Sequence, residues 1–155
     1  MKIATSYFYQ IRNFLPNMIP VSTAMSDPLW YRPGLNEEYY LDKRNVVNGL
    51  RYEYLIVQNS EEAVCPCPLH EQRNGFQCDF LTRYKIALDQ LDFDRIMKAF
   101  QYCADKFQKE LGFKEEPIIV LMVYEVPSNP CSERIVLQKY FQEHGVNCQE
   151  LTYPI

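Results

Sequence analysis

Seven consecutive apolar or aromatic residues, Ile118-Ile119-Val120-Leu121-Met122-Val123-Tyr124, stand between Pro117 and Glu125. A strand with one wet face would alternate. An unbroken apolar run of this length predicts a strand covered on both faces. Such strands occur in parallel sheets whose crossover segments pack on either side, so this run sets the expected fold class.

The remaining pattern agrees with that expectation. Residues 2–8 read as a first strand and 18–24 as a second, where Pro20 belongs near a strand end because it cannot donate to a ladder. A short helical turn over 9–15, stopped by Pro16, joins them. Leu50, Tyr52, Tyr54 and Ile56 alternate as a third strand over 50–58. The period then changes: Phe80, Leu81, Tyr84, Leu88 and Leu91 share one helical face. Asp92 caps a second helix that carries Phe93, Ile96, Phe100, Ala104 and Phe107 and ends at Gly112. Asn129 as N-cap and Pro130 at the first helical position predict a third helix running to His144, with Gly145 closing it. Residues 146–151 return as a last strand. The expectation is a single α/β domain over 1–155, a compact three-layer unit with a mainly parallel central sheet. Its topology is Rossmann-like but lacks a Gly-rich loop: the five glycines are scattered and form neither G-x-G-x-x-G nor a Walker pattern.

Composition narrows the function classes. A chain of 155 residues can bury a core without staples, and 47% hydrophobic content excludes a disordered chain. A formal charge of −4 argues against a grip on duplex nucleic acid. No apolar stretch approaches the roughly 20 residues that span a bilayer, and the N-terminal segment lacks the apolar run of a signal peptide. The reading is a cytoplasmic protein without a membrane partner. In that setting the six cysteines are expected as thiols or metal ligands. Two segments differ in texture. Residues 26–49 interleave Trp30, Tyr31, Tyr39 and Tyr40 with Pro and Gly, and read as an ordered aromatic excursion. Residues 60–78 form a Cys/Pro-rich loop.

Parallel sheets bind ligands beyond the carboxyl ends of their strands. The candidate ligand-binding residues there are Thr5, Ser6, Tyr7, Ser22, Tyr124, Ser132 and Arg134. Cys131 and Glu125 are the candidate reactive groups. A helix start leaves N–H groups unpaired and carries partial positive charge, which suits an anion and favours a thiolate. A carboxylate at position 125 suits a general base or a hydroxyl-orienting group. The competing reading of the 127–134 run is a buried small Cys, a helix cap and an Arg–Glu pair. In the Cys-rich loop, Cys65, Cys67, His70 and Cys78 form a candidate tetrahedral set for a structural zinc ion. The C-x-C spacing departs from the usual C-x2-C, and the alternative is a Pro-stiffened loop whose cysteines pack against aromatics.

The apolar strand ending in Tyr124-Glu125, Cys131, the charged helix start and the Gly145-Val146 turn resemble the bacterial and phage domain-of-unknown-function family four-eight-eight. Ile3-Ala4-Thr5-Ser6-Tyr7-Phe8 and the strand 19–23 are also similar. That family's pattern is Cys-His-Arg after the penultimate strand; this chain has Cys131-Ser132-Glu133-Arg134. The resemblance implies an α/β fold and no established activity. The functional expectation is an anionic small molecule, of nucleotide or nucleobase type, bound at the strand ends near Cys131. The alternative is a non-catalytic phage or mobile-element interaction protein whose aromatic excursion meets a protein partner.

Overall fold

A computed structural model describes residues 1–31, 49–56, 79–129 and 131–154. Its core is a five-stranded sheet: β1 (Lys2–Tyr7), β2 (Met18–Ser22), β3 (Leu50–Arg51), β4 (Ile118–Val123) and β5 (Cys148–Glu150). The spatial order is β3-β2-β4-β1-β5, and every pairing is parallel. The fold is thus an α/β domain built on a parallel sheet. The apolar run forms β4, hydrogen-bonded to β2 on one side and β1 on the other.

β4 shows why the run is continuous. Ile119, Leu121 and Val123 face one cluster of buried residues, while Val120 and Met122 face another. Three helices cover the first face: α1 (Asp79–Asp89), α2 (Phe93–Leu111) and α3 (Glu133–Glu143). A 3-10 turn, Phe8–Asn13, covers the second with Phe8 and Ile11, joined by Tyr31. Each fully buried large apolar side chain in these layers contributes roughly 1.5–3 kcal/mol. No helix among the described residues is long and apolar enough to cross a membrane.

Several boundaries differ from the sequence reading, each for a local reason. Pro20 is the third residue of β2, an interior strand, and not near its end. Its tolerance follows from the short third strand: β3 pairs only at Val21 and Ser22. The Pro20 carbonyl takes the Tyr31 hydroxyl at 3.1 Å, so the edge on which Pro lacks an N–H is served by a side chain. Tyr31 also donates to the Leu50 carbonyl, and a Cβ at Gly49 would collide with its ring. The third strand ends at Arg51, because Glu53–Leu55 turn as a 3-10 segment. The alternation of Tyr52 and Tyr54 reflects packing against Phe100 and against each other, not a longer strand. Asp92 and Gly112 cap α2 as expected: Asp92 accepts from the Arg95 N–H, and Gly112 is left-handed at φ 70°.

The last helix starts three residues later than Pro130. Its N-cap is Ser132, whose Oγ accepts the Arg134 N–H at 3.2 Å. Asn129 instead accepts the Cys131 N–H at 2.9 Å, an Asx turn before the helix. Both residues are good caps by type, and the one nearer the buried face of the helix takes the role.

Candidate functional site

β1 and β4 are neighbours, yet their connections leave on opposite faces. The segment after β1 packs its 3-10 turn on one side, whereas the segment after β4 enters α3 on the other. A divergence of this kind opens a crevice beyond the strand ends, the usual ligand position in open α/β sheets.

The helix-covered side of these strand ends is polar. Thr5 and Glu150 are register partners on β1 and β5. Ile3 and Cys148, two residues earlier on each strand, belong to the helix-side core, so Thr5 and Glu150 project beneath α3. Arg134 and Gln138 lie four residues apart on α3 and face them. Gln138 Nε2 donates to Thr5 Oγ1 at 2.7 Å, and Thr5 Oγ1 donates to Glu150 Oε2 at 2.7 Å. Arg134 Nε donates to the same Oε2 at 2.9 Å, while its Nη2 donates to the Glu125 carbonyl. The Arg134 guanidinium also lies 5.8 Å from the Tyr7 ring centroid.

This network is incomplete. Arg134 is 2% exposed, and its Nη1 has no hydrogen-bond partner among the described residues. Glu150 Oε1 is buried and unpartnered in the same way. An unpaired buried donor or acceptor costs about 1–3 kcal/mol, and more when it belongs to a charged group. One ion pair carries two such atoms.

Acidic groups crowd the start of α3. Ser132 Oγ donates to Glu125 Oε2 at 3.3 Å. Burial, and then the like charge of Glu125, push the Glu133 carboxyl up to about 8, against the pull of Arg134. Burial and the nearby Glu150 likewise push the Cys148 thiol up to about 12, making it a core thiol.

Aromatic residues line the other side. Phe8, directly after β1, packs against Tyr124 at 5.0 Å between ring centroids and edge-on against Trp30 at 6.3 Å. Tyr124 and Trp30 are both exposed. Because Tyr124 precedes Glu125, this aromatic surface adjoins the carbonyl that holds Arg134.

The sequence-derived candidates divide into groups. Thr5, Glu125, Ser132 and Arg134 meet in the cluster just described, with Tyr7 beside it. Ser6 faces the opposite side and shares a 2.9 Å hydrogen bond with the Tyr153 hydroxyl. Ser22 joins a separate cluster at the ends of β2 and β3: it donates to Asp27 Oδ1, which also accepts from Arg51 Nη1 at 3.1 Å. Tyr124 belongs to the aromatic surface. Cys131 is 5% exposed and packs in the helix-side apolar cluster. Cys65, Cys67, His70 and Cys78 lie outside the described residues, as do residues 32–48 of the aromatic excursion and Pro130. Among the described residues no group of three or more His, Cys, Asp or Glu is placed to hold a metal ion.

Sequence reasoning missed Glu150 and Gln138. Both had a signal. Gln138 falls one turn after Arg134 on a face shared with Leu137 and Phe141, and Glu150 alternates with Cys148 onto a buried face.

Compared with family models, curated proteins and solved structures, the chain matches none.

Proposed function

We propose that this protein binds a small molecule of nucleotide or nucleobase type in the crevice between the ends of β1 and β4. The observation that carries the reading is Arg134 Nη1, a buried donor of a permanently charged group without a partner among the described residues. Native proteins pair nearly all such atoms, so an orphan at a strand-end crevice is a recognition element in waiting. The adjoining Phe8, Tyr124 and Trp30 rings supply the stacking surface that a flat heterocycle uses. The resemblance to family four-eight-eight belongs to the same proposal and adds no activity to it.

The reading is one of binding without a chemical step. Cys131 is buried in the apolar cluster, and the Glu125 carboxylate already accepts from Ser132. A structural zinc ion on Cys65, Cys67, His70 and Cys78 remains a separate proposal, tested by metal analysis of protein never exposed to chelator.

Isothermal titration with uridine and guanosine monophosphates tests the binding reading. A saturable, stoichiometric signal that weakens about tenfold or more in Arg134→Met is expected. No binding of either nucleotide, or equal binding by the variant, overturns it. One observation favours a second reading, an interaction protein docking through its aromatic surface: Leu29 is 96% exposed beside Trp30. Under that reading Trp30→Ala abolishes partner capture, while the nucleotides give no heat with any variant.

A further inference from the structure

We propose a second binding site, for a neutral sugar, in an open groove between the 3-10 turn after β1 and the C-terminal segment after β5. It lies on the opposite face of the sheet from Arg134 and stands whether or not a nucleotide binds there.

The groove has a volume of about 470 Å³ and is lined by Gln10, Asn13, Leu15, Tyr153 and Pro154. Small-ligand sites span about 300–1,000 Å³. The sheet brings the two walls together. Phe8–Asn13 turn directly after β1. The Leu151 N–H donates to the Thr5 carbonyl at 2.9 Å, so the tail after β5 continues along β1. Phe8, Ile11 and Leu151 all pack in the cluster on the side away from the helices. Both walls thus leave the carboxyl ends of neighbouring strands and lie on one face.

The lining is polar but uncharged. Gln10 Nε2 donates to the Tyr7 hydroxyl at 2.8 Å, and Asn13 Nδ2 donates to Gln10 Oε1 at 2.6 Å. These bonds order the two carboxamides in a chain. A carboxamide carries two donors and an acceptor oxygen. Each therefore keeps one N–H to offer, and the Asn13 oxygen is uncommitted among the described residues. On the other wall, the Tyr153 hydroxyl shares a 2.9 Å hydrogen bond with the fully buried Ser6, which anchors the far end of the half-buried ring to β1. Leu15, 47% exposed, and Pro154 add aliphatic surface.

These features select a ligand class. An anion finds no cationic side chain in the lining, and a hydrocarbon leaves the carboxamides without partners. A sugar hydroxyl donates and accepts at once, as a carboxamide does. The C–H face of a pyranose packs on a tyrosine ring and on aliphatic side chains. A groove of about 510 Å³ on α2 gives the contrast. Tyr102, Asp105, Lys106, Lys109 and Glu110 line it, all from one helix and four of the five charged, as on a solvated helix face.

Titrate the full chain with glucose, galactose, mannose, N-acetylglucosamine, cellobiose and chitobiose, by calorimetry and by the NMR shifts of the side-chain amides. The expected result is saturable binding of at least one of them, with a Kd of about 1 mM or tighter. The Gln10 and Asn13 amide signals should move with the same Kd. Asn13→Ala and Gln10→Ala, both outside the sheet, should each weaken binding about fivefold or more. Glucuronate and glucose 6-phosphate should bind no tighter than glucose. No saturable binding by any neutral saccharide, or binding unchanged in both variants, overturns the site. Adenosine or a proline-rich peptide moving those amide signals where the saccharides do not overturns the ligand class.

Discussion

Two arginines sit at the carboxyl end of the same sheet, and they are used differently. Arg51, the last residue of β3, has every guanidinium nitrogen engaged: Nε with Glu53 at 2.9 Å, Nη1 with Asp27 at 3.1 Å and Nη2 with the Met25 carbonyl at 2.8 Å. Arg134, on α3, is more deeply buried and has one nitrogen without a partner among the described residues. The better-solvated arginine is saturated, and the drier one is not. Energetically this is the reverse of what folding alone favours, since a missing bond costs more away from water. Arg51 is a clamp between β3 and the segment after β2. Arg134 ties α3 to β5 and to the end of β4, and it carries the penalty of one unpaired donor among the described residues.

That contrast can be broken most forcefully at Glu150. Glu150→Ala leaves the Arg134 charge buried beside a single carbonyl, and the expected loss is about 3–5 kcal/mol in denaturant unfolding. The double replacement Arg134→Met with Glu150→Met should cost clearly less, because no uncompensated charge remains. A double variant as damaged as the single one would show that packing, not the buried pair, controls this region. Arg51→Met is a smaller perturbation. Its loss should be about 1–3 kcal/mol, since Asp27 keeps its hydrogen bond from Ser22. Ligand affinity measured by titration should stay within twofold of the unaltered protein (about 0.4 kcal/mol). An affinity loss equal to that of Arg134→Met would erase the distinction between the two arginines.

The smallest expected effect is a pH slope. Glu133 has its folded-state carboxyl raised from 4.5 to about 8. The folded protein therefore holds a proton that the unfolded chain releases between those values. Its contribution is full below about pH 4.5, falls as pH rises toward 8, and is flat above. Melts across this window should show stability falling with pH relative to Glu133→Gln, which lacks the slope. Parallel curves would place Glu133 in contact with water instead.

Local signals in the sequence proved legible where neighbours along the chain do the work. The run 118–124 announced β4, and Asp92 and Gly112 announced the ends of α2, because a cap or a two-faced strand is decided within a few residues. Pro20 misled, since its tolerance depends on Tyr31 and on how late β3 joins the sheet. Asn129 misled because Ser132, equally suited to capping, lies closer to the buried turn. At the site, Thr5, Glu125, Ser132 and Arg134 were visible as strand-end and helix-start residues. Glu150 was not, because its importance arises from a register partner 145 positions away.

The placement of β1 has a consequence for how the chain is made. Its two neighbours in the sheet are β4 and β5, which begin at Ile118 and Cys148. The earliest-made of the five described strands is thus flanked by the two made last. At about 5–20 residues per second, roughly 7–30 s separate synthesis of Thr5 from that of Glu150. Until Ile118–Val123 is made both hydrogen-bonding edges of β1 lack their native partners, and the edge that β5 takes stays open until Cys148–Glu150 follows. An open strand edge is a template for pairing with another chain, so the interval between making β1 and making β5 is one in which β1 needs shelter.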